Sequence, residues 1–321
     1  MDPRITSGSG PVESSAPRRT PLRAVWSFWS RPFRAYKSAS WPTPLHHLLA
    51  WGLSVHAARR HYPDTVLVTD ETGKRLLVDG LGLPFAQVST ELERLAGADV
   101  GWWMAGKLVA YSLQDRPFLH LDSDVFLWKA LPPYVADAPV VAQCPEYYHG
   151  ANEWCGPHDI EAAFAAEGCP LPAEWEWARS KGGSIFKEEN CGIVGGAHLP
   201  FLHYYAGTAL DLIFNPAYAP AWARVPDKSG YNQIIEQFML AACVEYHRFH
   251  PTSPYRDVRI KHLFRSWDDA FNPHHAARAG FTHLLGGAKS SPAVARRLMD
   301  RMRREDPGYF ARCERMLERA G

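Results

Sequence analysis

Two aspartates, Asp122 and Asp124, stand one residue apart between two apolar runs of the chain. The run before them, residues 118–121, is short and continuous, which is the pattern of a buried strand in a mainly parallel sheet. A carboxylate beside such a strand is costly unless it meets a cation or hydrogen-bond donors. Mg²⁺ and Mn²⁺ typically take one or two protein carboxylates and fill their other positions with substrate phosphates. The pair therefore predicts a metal site, and two solvated aspartates at a strand end are the alternative.

The segment Asp122-Ser123-Asp124 resembles the D-x-D motif of metal-dependent glycosyltransferases with the GT-A fold. Enzymes of that fold bind a nucleotide-diphosphate sugar through Mn²⁺ or Mg²⁺. The resemblance implies that both aspartates hold the metal and that Ser123 lies against the sugar donor.

Three later segments are similar to motifs of glycosyltransferase family 8, which includes glycogenin and bacterial lipooligosaccharide galactosyltransferases. Residues 190–196 resemble its N-x-G strand, in which a glycine would let the backbone come close to a ligand. Glu236-Gln237 resembles its D-Q segment, with glutamate where aspartate is usual. Residues 283–289 fit its H-x-x-G-x-x-K motif. Four such motifs in the expected order favour a divergent relative of family 8.

The resemblance implies a set of donor contacts. His283 would give the metal a neutral nitrogen ligand beside Asp122 and Asp124. Backbone near Gly286 and Gly287 would approach the diphosphate, and Lys289 would offset its charge.

Lys107 stands in the predicted helix before the D-x-D strand, where related enzymes often place a basic donor contact. A solvated surface lysine is the alternative. On the reacting side of the sugar, the resemblance suggests Glu236 and Gln237 as groups that assist an oxocarbenium-like centre, with Asn190 orienting donor or acceptor. For Glu236, a helix N-terminal glutamate that merely complements the helix dipole is the alternative.

The function implied is metal-dependent transfer of a sugar, with retained anomeric configuration, from a UDP-sugar to a glycan, peptide or small molecule.

One departure from the family is clear, because residues 290–292 read Ser-Ser-Pro where Pro-Trp is expected. A GT-A-like binding or scaffold protein that has lost turnover is the main alternative. A metal-dependent phosphohydrolase is a poorer one, since the chain has a single aspartate pair and no second histidine cluster.

Composition excludes several other classes. The chain has 321 residues, 46% of them hydrophobic, and a formal net charge of +1, so no overall field favours nucleic acid. No apolar run approaches the roughly 18 residues of a membrane span, and the N-terminus lacks the layout of a signal peptide. A cytoplasmic protein is expected. Six scattered cysteines without metal-ligand spacing predict reduced core thiols.

The order strand, helix, strand indicates a parallel α/β unit. The resemblance implies that this is one α/β domain of the GT-A (Rossmann-like) type, with a mixed, mostly parallel sheet flanked by helices. It spans residues 22–290, after a disordered leader over residues 1–21 and before a helical segment over residues 291–321 that Ser291 caps. Residues 144–189 are an aromatic-rich insert assigned to acceptor binding, with a structural lid as the alternative. The other predicted elements are strands at 22–29, 65–70, 76–79, 84–88 and 139–143, and helices at 45–61 and 102–113.

Overall fold

The structure is a computed structural model, which describes residues 21–36, 41–149 and 156–319. The predicted leader therefore lies outside the described residues, apart from residue 21. Within these three segments, no helix combines the length and the apolar character needed to cross a bilayer.

A seven-stranded sheet forms the centre of the fold. Its strand order is β10-β6-β9-β4-β1-β2-β3. Strand β9 runs antiparallel to both of its neighbours, and the other adjacent pairs are parallel. The remaining four strands form two-stranded sheets, β5 with β11 and β7 with β8. The strands are β1 (Arg23–Phe28), β2 (Thr65–Thr69), β3 (Gln87–Ser89), β4 (Phe118–Leu121), β5 (Val125–Leu127), β6 (Val140–Ala142), β7 (Pro145–His149), β8 (Ile185–Glu189), β9 (Ile193–Gly196), β10 (Ile260–His262) and β11 (Phe281–His283).

Helices cover both faces of this sheet. They are α1 (Ser30–Tyr36), α2 (Pro44–Arg59), α3 (Glu71–Lys74), α4 (Ala105–Ser112), α5 (Pro133–Ala136), α6 (Pro157–Ala166), α7 (Ala173–Gly182), α8 (Leu199–Phe214), α9 (Ala219–Ala223), α10 (Met239–Phe249), α11 (Trp267–Phe271), α12 (Pro273–Ala279), α13 (Pro292–Glu305) and α14 (Pro307–Glu318). The α/β class and the mixed, mostly parallel sheet predicted from the sequence are confirmed.

Two apolar cores form because side chains alternate across each strand. On β1, Val25 belongs to the core shared with α4 and α8, whereas Trp26 belongs to the core shared with α2 and α13. Both side chains are fully buried. Burial on both faces explains why the central strands read as continuous apolar runs in the sequence.

One predicted strand is wrong. Residues 76–79 lie in a wide helical turn, Arg75–Gly80, that continues directly from α3. The Asp70 carboxylate starts this helix, because it accepts a hydrogen bond from the backbone N–H of Gly73 at 2.6 Å. Only Leu77 within the turn is fully buried. A short apolar run cannot by itself distinguish a strand from a helix with one buried face.

The C-terminal segment is helical as predicted, but it forms two helices. The break falls at Asp306, whose side chain accepts a hydrogen bond from the N–H of Tyr309 at 2.7 Å. Ser291 occupies the predicted N-cap position before α13, with Pro292 in the first turn, but its side chain makes no capping hydrogen bond. Instead its backbone carbonyl accepts the N–H of Ala295 at 2.9 Å. Tyr309 fixes α14 to α2 by donating to the carbonyl of Leu48 at 2.7 Å.

The predicted insert, residues 144–189, contains β7, α6, α7 and β8, and its residues 150–155 lie outside the described segments. Trp177 of α7 stacks on Phe249 of α10, with ring centroids 5.5 Å apart. Packing of this kind joins the insert to the main domain. Its assignment to acceptor binding stays a prediction.

The cysteines in the described segments are free thiols, as predicted. Four of them, Cys144, Cys191, Cys243 and Cys313, are buried, and Cys169 is partly exposed. Cys155 lies outside the described residues.

Candidate functional site

The D-x-D segment forms the tight connection between β4 and β5. The N–H of Asp122 donates to the carbonyl of Gly192 at 3.0 Å, which ties the segment to the residues before β9. Strand β5 pairs antiparallel with β11, so that Val125 lies opposite His283. The N–H of Leu284 then donates to the carbonyl of Asp124 at 3.1 Å. Backbone pairing therefore brings a histidine that is distant in sequence next to both aspartates.

Asp122, Asp124 and His283 form a group that could hold a metal ion. One ligand atom from each lies within 4.8 Å of the others, and within the described segments no second group of this kind occurs. The Nε2 atom of His283 is 3.6 Å from Oδ1 of Asp124. Burial lowers the pKa of His283, against the pull of Asp124, which favours the neutral imidazole that ligates metals. Two carboxylates and an imidazole are a donor set that suits Mn²⁺, and Mg²⁺ with more water.

Lys289 supplies positive charge at this group. Its Nζ lies 2.6 Å from Oδ2 of Asp124. Burial acts to raise the pKa of Asp124, but Lys289 and His283 outweigh it and hold that pKa below its usual value. Asp122 differs, because burial raises its pKa despite the nearby Lys107 ammonium. The two aspartates therefore sit in different electrostatic surroundings.

Lys107 is buried on α4 and bridges two carboxylates. Its Nζ lies 2.9 Å from Oδ1 of Asp122 and 2.9 Å from Oε1 of Glu236, and it donates to the carbonyl of Cys191 at 3.2 Å. Burial acts to lower the pKa of Lys107, but the two carboxylates outweigh it and raise that pKa above its usual value. The solvated alternative for Lys107 does not hold, since its side chain is only 10% exposed.

Glu236 lies in a wide helical segment, Ile234–Phe238, that leads into α10. Its carboxylate is 1% exposed and accepts a hydrogen bond from the Tyr111 hydroxyl at 2.6 Å, in addition to the ion pair with Lys107. The neighbouring Gln237 is 9% exposed, and its Oε1 is buried with no hydrogen-bond partner among the described residues. Wide turns within helices are frequent at functional sites. Glu236 is thus a buried ion-pair partner rather than a solvated helix-end glutamate.

Asn190 is held at both ends of its side-chain amide. Its Nδ2 donates to Glu146, and its Oδ1 accepts the N–H of Gly192 at 3.0 Å. The side chain is 3% exposed. Its contacts within the described segments are therefore to the protein frame, and its predicted orienting role stays a prediction.

Gly286 and Gly287 belong to a short helical turn, Gly286–Ala288, that carries the chain from His283 to Lys289. A Cβ atom added at Gly287 would meet no heavy atom within 4 Å. The turn leaves this backbone accessible, as the predicted contact with a diphosphate requires.

A cavity of about 630 Å³ opens beside the charged groups. Ligand pockets for small molecules typically span roughly 300–1,000 Å³. Its lining includes Asp122, Ser123, Asp124, Lys107 and Lys289. Aromatic side chains also line it, namely Phe28, Trp29, Phe33, Tyr36, Trp41, Trp51 and Trp103. Charged groups that suit a metal and phosphates therefore share one cavity with rings that can stack on a flat ligand.

Comparison with known proteins identifies the family of this chain. Residues 22–316 match a family of unknown function, DUF6734. The chain belongs to that family. No functionally curated protein matches the sequence.

Two solved glycosyltransferase structures resemble this DUF6734 chain at low identity. The galactosyltransferase LgtC, crystallised with donor and acceptor sugar analogues, is 13% identical, with 87% of this chain and 94% of that chain covered and a TM-score of 0.39. Apo mouse xyloside xylosyltransferase 1 is 12% identical, with 84% and 96% covered and a TM-score of 0.32. The fold of this chain is described by its own seven-stranded sheet.

Several residues of the site were not predicted from the sequence. Gln143 contacts His283, Tyr111 contacts Glu236, and aromatic residues of α1 and α2 line the cavity. For the burial of Lys107 there was a signal, because residues 104–111 contain no other charged side chain. A lone charge in an apolar helical stretch indicates a buried partner.

Proposed function

We propose that this chain is a metal-dependent glycosyltransferase that moves a sugar from a nucleotide-diphosphate sugar, namely a UDP-sugar, to an acceptor. The observation that carries the proposal is the convergence of Asp122, Asp124 and His283 to within 4.8 Å beside the cavity. Lys289 adds a cation at the same place. A diphosphate needs such concentrated positive charge, and a metal with a lysine is a usual way to provide it.

Asp122, Asp124 and His283 would hold Mn²⁺ or Mg²⁺. When bound, the ion neutralises charge on the diphosphate that leaves as the bond to the sugar breaks. Lys289 is paired with Asp124 in the structure described, and its flexible stem can turn the ammonium to a phosphate oxygen. The accessible turn over Gly286–Ala288 offers backbone N–H groups to the same anion.

Glu236 and Gln237, the two residues suggested to act on the sugar, have different roles. The Glu236 carboxylate is neutralised by Lys107 and bound by Tyr111, so it supports the position of Lys107 and Asp122. The amide oxygen of Gln237 has no donor among the described residues and is the better candidate to stabilise positive charge at the anomeric carbon. Retention of configuration and the cytoplasmic location stay predictions from the sequence.

A panel of nucleotide-sugars, each tested with Mn²⁺ and with EDTA, examines this proposal without knowledge of the acceptor. We expect one donor to release its nucleoside diphosphate at a slow rate in Mn²⁺, because water can replace an acceptor, and not in EDTA. Binding of nucleotide without release from any donor would favour the scaffold alternative. Release of phosphate from simple phosphate esters would instead indicate a phosphohydrolase.

A further inference from the structure

We propose that Gln143 is a positioning residue that sets the tautomer of His283, and that Gly192 keeps open the space in which the two side chains meet. The inference rests on the proposed function only for the purpose that this tautomer would serve. The hydrogen bond itself joins Nδ1 of His283 to Oε1 of Gln143 over 2.7 Å.

The direction of this hydrogen bond follows from the chemistry of the amide. A side-chain amide oxygen only accepts hydrogen bonds, so Nδ1 of His283 must carry the proton. In a neutral imidazole the other nitrogen, Nε2, then keeps its lone pair. Nε2 lies 3.6 Å from Oδ1 of Asp124, which is too long for a hydrogen bond. The unprotonated nitrogen is thus presented to the two aspartates.

Gln143 is held firmly enough to impose this choice. Its side chain is almost fully buried, at 1% exposure. Its backbone N–H donates to the carbonyl of Asn190 at 3.0 Å, and its carbonyl accepts the N–H of Phe264 at 2.9 Å. Bonds on both sides fix the main chain directly after β6, and the burial of the side chain limits the rotamers that its amide can adopt.

Gly192 is required by the space that this pair occupies. A Cβ atom added there would lie 2.3 Å from Cε1 and 2.4 Å from Nδ1 of His283, and 2.7 Å from Oε1 of Gln143. Gly192 is not among the glycines with positive φ, so close approach rather than backbone conformation explains it. The absence of a side chain at Gly192 makes room for the imidazole of His283, and the predicted approach of a ligand to this glycine stays a prediction.

Asn190 completes the frame. Its Oδ1 accepts the N–H of Gly192 at 3.0 Å, and the Gly192 carbonyl in turn accepts the N–H of Asp122 at 3.0 Å. The segment over residues 190–192 therefore fixes the backbone of Asp122 and also borders the space that the His283 imidazole occupies. Partners behind a metal-binding histidine commonly fix its tautomer and orientation in this way, and their loss typically costs about 10–100-fold in metal affinity.

The test begins with metal-free protein. Nitrogen-15 NMR of labelled histidine should show His283 of the wild type with its proton on Nδ1. Gln143→Leu removes the acceptor at similar volume and should abolish this preference, whereas Gln143→Glu keeps an acceptor and should restore it. Gln114→Leu is the matched control, because Gln114 is also buried, at 3% exposure, but donates to the carbonyl of Ala110. A proton on Nε2 in the wild type, or an unchanged tautomer in Gln143→Leu, overturns the proposal.

Mn²⁺ affinity, followed by electron paramagnetic resonance, shows whether the tautomer serves the metal. We expect Gln143→Leu to bind Mn²⁺ about 10–100-fold more weakly than the wild type, with Gln143→Glu and Gln114→Leu within about threefold. Equal affinity in Gln143→Leu contradicts the positioning role. If the wild type binds no Mn²⁺ yet shows the predicted tautomers, the contact between Gln143 and His283 stands and the metal-dependent function fails.

Discussion

Asp124→Asn is expected to lower the rate of donor turnover by at least about 10²-fold, which corresponds to about 2.7 kcal/mol of barrier. The change keeps the size of the side chain but removes a charged oxygen from the group formed with Asp122 and His283. Lys289 also loses its partner, at 2.6 Å. Loss of the charged ligand oxygen weakens the hold on the metal, so turnover and Mn²⁺ affinity should fall together.

The fold should survive this substitution. The side chain of Lys289 is 24% exposed, so its ammonium can turn to water when Asp124 no longer pairs with it. Asp300→Asn, at an exposed position on α13, provides the control and should turn over within about threefold of the wild type. Wild-type turnover by a folded Asp124→Asn protein would remove Asp124 from the metal group.

Lys107→Met is expected to reduce the free energy of unfolding by about 3–5 kcal/mol. The substitution keeps the length of the side chain but leaves the carboxylates of Asp122 and Glu236 without the cation that lies 2.9 Å from each. Glu236 is 1% exposed, so water cannot replace the ammonium there. Urea denaturation followed by circular dichroism measures the loss.

A double substitution separates charge from packing. Adding Glu236→Gln to Lys107→Met removes one of the two unpaired charges and should recover part of the lost stability. Lys261→Met, at an exposed position on β10, should change stability by no more than about 0.5 kcal/mol. A loss below about 1 kcal/mol for Lys107→Met, or no recovery in the double variant, would show that the bridge contributes little.

Sequence patterns predicted the parts of this molecule that depend on local composition. The apolar runs of β1, β2 and β4 predicted buried parallel strands, because a strand covered on both faces has no polar side to show. The run over residues 76–79 misled, since only Leu77 within it is fully buried and a short apolar run does not distinguish a strand from a helix with one buried face. Boundaries and short elements are where tertiary contacts override local preference.

The candidate metal group was predicted from the resemblance of its motifs to family 8, but its supports were not predicted. Asp122, Asp124 and His283 were predicted together and lie together. The contact of Gln143 with His283 depends on the pairing of β6 with β9 and on the antiparallel pairing of β5 with β11, and no single segment encodes these pairings. Partner choice across a sheet is set by register rather than by composition.

Calorimetric titration of the wild-type protein with UDP, in Mn²⁺ and again in EDTA, tests the central claim most directly. The claim is that Asp122, Asp124 and His283 hold a metal that binds a nucleotide diphosphate. We expect clear binding in Mn²⁺ and at least about tenfold weaker binding in EDTA, a difference of about 1.4 kcal/mol. Equal affinity in both conditions, or no binding of UDP or another nucleoside diphosphate in either, would contradict it.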